Sequence, residues 1–151
     1  MDNSRDLIKQ MRNKINEIDK CYDIWSKSFG FTILEKQFFY ILAEYENDTM
    51  RQVEICNIMS ISKTTVNTIV KKMTKLGYIT LTSHSTNLKD KMIHITKKGY
   101  ELIDQMIKPL YTIEQEAVKD ISNKDLNTLL ITLDLYKDNL LDQITKKMDN
   151  Q

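Results

Sequence analysis

Residues 62–79 read SKTTVNTIVKKMTKLGYI, and this stretch decides the fold. Ser62 carries a short oxygen-bearing side chain of the kind that accepts a first-turn amide, so it predicts the start of a helix. Val66, Ile69, Val70, Met73 and Leu76 then recur at steps of three and four, which places them on one buried face. Lysines and threonines fill the other face of this helix, Lys63 to Leu76. Gly77 supplies the C-terminal stop. The period then changes from helical to alternating in Tyr78-Ile-Thr-Leu-Thr82, a strand with Ile79 and Leu81 turned inward.

Upstream, only Ser60 to Ser62 separate this helix from a shorter one that carries Val53, Ile55, Cys56 and Ile58 and ends near Met59. Its start is read from Thr49-Met-Arg-Gln52, which has the spacing of a capping box. Thr32-Ile-Leu-Glu35 has the same spacing and predicts another helix, with Phe38, Ile41, Leu42 and Tyr45 buried. Before it, Leu7, Met11, Ile15, Ile18, Tyr22, Trp25 and Phe29 mark a long amphipathic first helix.

Downstream of the strand, Ser83 to Asp90 is polar, and Lys91 to Thr96 alternates back with Ile93 and Ile95 inward. The pair forms a β-hairpin, the only strong strand signal in the chain. Thr96 is the cap of a helix bearing Leu102, Ile103, Met106, Ile107 and Leu110, which Pro109 is expected to kink or break. A last long helix follows Ser122. Its stripe runs through Leu126, Leu129, Leu130, Leu133, Tyr136, Leu140, Ile144 and Met148.

The chain has 151 residues, of which 41% are hydrophobic and 28% charged. This suits one domain able to bury a core, and three Gly with one Pro are too few for a turn-rich barrel or sandwich. No apolar run is long enough to span a membrane and the N-terminus has no secretory pattern, so a cytoplasmic protein is expected. Two cysteines make neither a disulfide framework nor a metal cluster. His84 and His94 lack Cys, Asp or Glu in register, so they read as solvated strand residues and no metal is expected. No Gly-rich phosphate loop, nucleophile elbow or HExxH-type motif is present, and no enzymatic activity or cofactor is expected.

The net charge of +1 hides a strong asymmetry. From Ser60 to Lys98 there are eight lysines against Asp90 alone, whereas the rest of the chain holds fourteen basic and twenty acidic residues. A basic centre between acidic flanks marks a defined contact surface for a polyanion.

Three successive helices, a three-residue turn before the third and a basic hairpin after it describe a winged helix-turn-helix. The fold class is mainly α with a small β-hairpin wing. At these residues the chain resembles the MarR (multiple antibiotic resistance regulator) family of transcription factors. The resemblance rests on Thr32-Ile-Leu-Glu-Lys-Gln-Phe38, on residues 62–79 and on Ile95-Thr-Lys-Lys-Gly99. It departs from the family where Thr68 stands in place of a frequent Arg. It departs again at Asn87-Leu88-Lys89, where an Asp-Arg-Arg-like wing signature is usual and Lys offers a point charge instead of a planar fork.

The resemblance implies three regions of one intertwined domain: a dimerisation helix over 1–31, the DNA-binding region over 32–99 and C-terminal dimerisation helices over 100–151. It also implies a homodimer on a pseudo-palindromic operator, acting as a repressor released or modulated by a small molecule or a redox signal. The residues expected at DNA are Ser62, Lys63, Thr64, Thr65, Asn67, Thr68 and Lys71 on the recognition helix, with His84, Thr86, Lys89 and Lys91 on the wing. Asn67 and Thr64 are placed at base edges, Asn67 because its amide pairs bidentately with adenine, and the lysines at phosphates. Trp25, Phe29 and Phe39 are the expected effector cleft, and Cys21 the candidate redox residue. The alternative reading is a winged-helix module whose basic surface binds an acidic protein partner.

Overall fold

The computed structural model describes residues 3–45, 49–83 and 91–150. Helix α1 (Ser4–Ser28) leads into α2 (Ile33–Glu44), strand β1 (Thr49–Arg51), α3 (Gln52–Met59) and α4 (Lys63–Lys75). Strands β2 (Ile79–Ser83) and β3 (Lys91–Ile95) follow, then α5 (Lys97–Leu102), a π-helical turn (Ile103–Ile107), α6 (Lys108–Val118) and α7 (Asn123–Asp149). The chain divides into two compact units, Met1–Leu110 and Tyr111–Gln151.

Helix starts are set by local chemistry. Thr32 Oγ1 accepts from Glu35 N at 3.2 Å while Glu35 Oε2 accepts from Thr32 N at 2.9 Å, the reciprocal box expected from the sequence. Ser62, Thr96 and Ser122 each accept one amide of the first turn through their side-chain oxygen, at 3.1 Å. Each such cap is worth about 1 kcal/mol. Helix α4 ends through Gly77 at φ 79°, a left-handed conformation that costs glycine little, and Tyr78 N then closes on Met73 O at 3.0 Å. Lys98 Nζ, donating to Leu76 O at 2.7 Å, covers a further carbonyl of that helix end.

Two expectations are corrected. Thr49 does not cap α3. It lies in β1, and α3 is closed at its start by Glu54 Oε2, which accepts from Arg51 N at 2.8 Å. The hairpin is consequently not the whole sheet. β1 pairs antiparallel with β3 on the edge opposite β2, with Met50 opposite Ile93 and Ile79 opposite Ile95. The regular α-helix is interrupted just ahead of Pro109, as expected, by the π-helical turn Ile103–Ile107. The helical path runs from α5 through the π turn into α6, because the wider turn ahead of the proline makes room for a ring that would clash with a regular i−4 carbonyl.

The core of the first unit is built from Phe38, Phe39, Ile55, Val66, Met73, Ile79, Ile93, Met106 and Ile107, all essentially sealed from solvent. Phe31, Phe39 and Tyr78 meet edge to face at 5.7–6.0 Å between ring centroids, fastening α2 to the root of β2. Leu76 and Leu81, expected inward, are more than a third exposed. Helix α7 has no buried residue at all, although Leu130, Leu133, Leu140, Leu141, Ile144 and Met148 lie along it. Among the described residues no helix is long and apolar enough to cross a membrane.

Candidate nucleic-acid interface

The turn between α3 and α4 sets the angle at which the second helix is presented. Ser60 takes a left-handed conformation at φ 53°, Ile61 N donates to Cys56 O, and Ser62 then opens α4. The buried stripe Val66, Ile69, Val70 and Met73 fixes the helix against the core, so its opposite face is committed to solvent.

On that face Ser62, Lys63, Thr64, Asn67, Thr68 and Lys71 are exposed, and Thr65 is half-buried. Their polar groups are not equally available. Ser62 and Thr65 share a hydroxyl contact at 2.9 Å within the cap, and Thr68 Oγ1 donates back to Thr64 O at 3.0 Å. Asn67 Oδ1 accepts from Gln52 Nε2 on α3. Lys63 and Lys71 extend as exposed cations at the two ends of the stretch, suited to phosphate. Lys72 is directed elsewhere: its Nζ donates to Glu35 Oε1 at 2.7 Å. Glu35 is buried, and its two oxygens therefore join the start of α2 to the middle of α4.

Of the wing residues, Lys91 is half-buried at the start of β3, where its Nζ donates to Ser83 Oγ at 3.3 Å. His84, Thr86 and Lys89 lie outside the described residues. His94, opposite both Thr49 and Thr80, shares a 2.7 Å hydrogen bond with Thr82 Oγ1. No group of three or more His, Cys, Asp or Glu that could hold a metal occurs among the described residues.

The residues expected at an effector cleft are not equivalent. Trp25 and Phe29 are half-buried and meet edge to face at 5.2 Å, and Trp25 Nε1 donates to Met106 O in the π turn at 2.9 Å. Phe39 instead is fully buried with Phe31, Phe38 and Tyr78. Cys21 is exposed on α1 and its Sγ donates to Glu17 O, whereas Cys56 is buried. The Lys14 hydrogen bond holds the Glu17 carboxyl below the usual carboxylate range, and Asp134 with Asp138 raises the Lys137 ammonium. Both groups are exposed, on α1 and α7 respectively.

In the sequence Gln52 reads only as the last residue of the Thr49–Gln52 capping pattern. No local pattern links it to Asn67, which lies 15 positions further on.

Residues 29–87, from the end of α1 into the wing, match the family model described as MarR family. The fold is similar to that of a MarR family regulator from Neisseria meningitidis, with a TM-score of 0.80 and 18% identity over 93% of this chain and 98% of that one. It is similar also to AbsC, a MarR family transcriptional regulator from Streptomyces coelicolor (TM-score 0.79, 15% identity, 94% and 97% covered). A third similar structure is a MarR family protein from Listeria monocytogenes complexed with 26mer DNA (TM-score 0.71, 22% identity, 90% and 89% covered). No curated protein sequence matches the chain significantly. Residues 29–87 therefore match the MarR family model, and the chain as a whole has the fold of solved MarR family proteins.

Proposed function

We propose that this protein is a sequence-specific DNA-binding regulator that acts as a homodimeric repressor. The observation that carries the reading is the exposed face of α4. Lys63, Thr64, Asn67 and Lys71 stand outward on a helix whose inner face is locked into the core, within the segment that holds eight lysines against one aspartate. A rigid helix of this kind fits the major groove, with lysines at phosphates and short polar groups at base edges. Ser62, Thr65 and Thr68 serve the helix itself through their hydroxyls, and the wing, with Lys91 at the start of β3, lies along the DNA backbone. That the similar Listeria protein is complexed with 26mer DNA supports the DNA-binding reading.

The homodimer is supported by apolar surface on both terminal helices. Leu7, Ile15 and Ile18 on α1 are each more than a third exposed, as are Leu129, Leu130, Leu133, Leu140 and Leu141 on α7. A two-fold partner covers such stripes and pairs two recognition helices. Release from DNA is assigned to a small molecule contacting Trp25 and Phe29, or to oxidation of Cys21. The Trp25 bond to Met106 O ties α1 to the π turn, so a ligand that takes the indole N–H changes that contact.

The test is fluorescence anisotropy on duplex DNA from upstream of the gene against a scrambled duplex, at two salt concentrations. At least about a hundredfold tighter binding of the native duplex, falling steeply with salt, is the expected result. Weak binding of both duplexes alike, together with salt-sensitive capture of an acidic protein, would favour the protein-interaction module instead.

A further inference from the structure

Gln52 is the first residue of α3, yet its side chain serves the next helix. It is half-buried, and its Nε2 donates to Oδ1 of the exposed Asn67 in the middle of α4. Two features leave it available for this. Glu54 closes the start of α3, and Thr49 lies in a strand. The neighbouring Ser62, Thr65 and Thr68 hydroxyls are engaged within α4, whereas the Asn67 side chain is bonded across to α3 from the exposed face.

An asparagine amide has an accepting and a donating edge, and fixing one fixes the other. With Oδ1 held toward α3, the Nδ2 hydrogens face outward. Bidentate pairing with adenine needs both edges, since adenine presents N7 as acceptor and N6 as donor. Guanine presents two acceptors, O6 and N7, and asks only for donors.

Resting on the DNA-binding reading, we propose that Gln52 is a positioning residue for base readout. It locks the Asn67 amide with its nitrogen edge outward, so that the helix selects guanine over adenine at the base pair Asn67 meets. The bidentate adenine contact expected from the sequence is replaced by a donor-only contact.

The experiment is selection from a randomised duplex pool with the wild-type protein, Asn67→Ala, Gln52→Ala and Gln52→Glu, each checked for wild-type helix content by circular dichroism. In the wild type one position per half-site shows guanine preferred over adenine by about tenfold or more. Asn67→Ala flattens that position, and Gln52→Ala brings the ratio to near unity. Gln52→Glu has no donor, so its carboxylate accepts from Asn67 Nδ2 and turns Oδ1 outward. The preference then inverts toward bases with a donor, cytosine or adenine. Adenine at the Asn67-dependent position of the wild type overturns the proposal, as does a motif that neither Gln52 variant alters or that Asn67→Ala leaves intact. A wild-type protein that enriches no motif at all sinks the DNA-binding reading, and this proposal with it.

Discussion

Gly99→Ala is a sharp test of how the wing is rooted. Gly99 lies in the first turn of α5, with its N–H donating to Thr96 Oγ1 at 3.1 Å. A Cβ built there would sit 2.2 Å from Tyr78 O and 2.7 Å from Ile95 Cγ2. The first of these is backbone at the start of β2 and cannot swing aside. The same carbonyl accepts from Thr96 N and Thr96 Oγ1, both at 3.0 Å, so moving it disturbs the cap of α5 as well. Overpacking costs about 1–3 kcal/mol and loss of a cap about 1 kcal/mol, offset by about 1 kcal/mol of helix propensity gained by Ala over Gly. The net is a destabilisation of about 2 kcal/mol, or a melting temperature lower by about 4–8 °C at fixed protein concentration. Gly77→Ala is the control, since φ 79° strains any side chain but a Cβ there meets nothing within 4 Å. It should cost only about 1 kcal/mol. Thermal or urea unfolding of the two variants reads the difference, and a Gly99→Ala protein as stable as wild type, or more stable than Gly77→Ala, refutes the steric argument.

Other substitutions probe separate links. Glu35→Ala removes both the Thr32 amide acceptor and the Lys72 partner, and urea titration should show a loss of about 1–3 kcal/mol. Glu35→Gln, which keeps an acceptor for Thr32, should lose less. Lys71→Ala should weaken binding to native and scrambled duplexes alike and lower the slope of log affinity against log salt by about 1, read by anisotropy across a salt series. Leu140→Asp, on the exposed stripe of α7, should shift the protein to monomer in sedimentation velocity while its helical circular dichroism is retained; a persistent dimer would place the subunit interface elsewhere.

What was legible in the sequence is what is local. Thr32, Ser62 and Thr96 all cap as expected, because a capping bond spans three residues and depends on little else, and the last helix follows Ser122 as expected. The stripe of α4 and the stop at Gly77 follow from periodicity and backbone sterics alone. Strand β1 was hidden because it is three residues long and is made by pairing with β3, some forty positions away, while Thr49-Met-Arg-Gln52 imitates a cap. The passage through Pro109 depends on a π turn for which propensity has no signal. Leu76 and Leu81 carry the right period, yet burial requires a neighbour that periodicity does not supply. At the candidate site, the lysines were visible as a charge imbalance, but the Gln52 to Asn67 bond crosses between two helices and became visible only with the fold.

The central claim is that two copies of α4 enter successive major grooves of one duplex. Hydroxyl-radical footprinting on the best duplex from the selection tests it most directly. The account predicts two protected tracts with centres about 10 base pairs apart, or a multiple of that spacing, related by the two-fold symmetry of the site. A single unpaired tract, or protection without a fixed spacing, would contradict it.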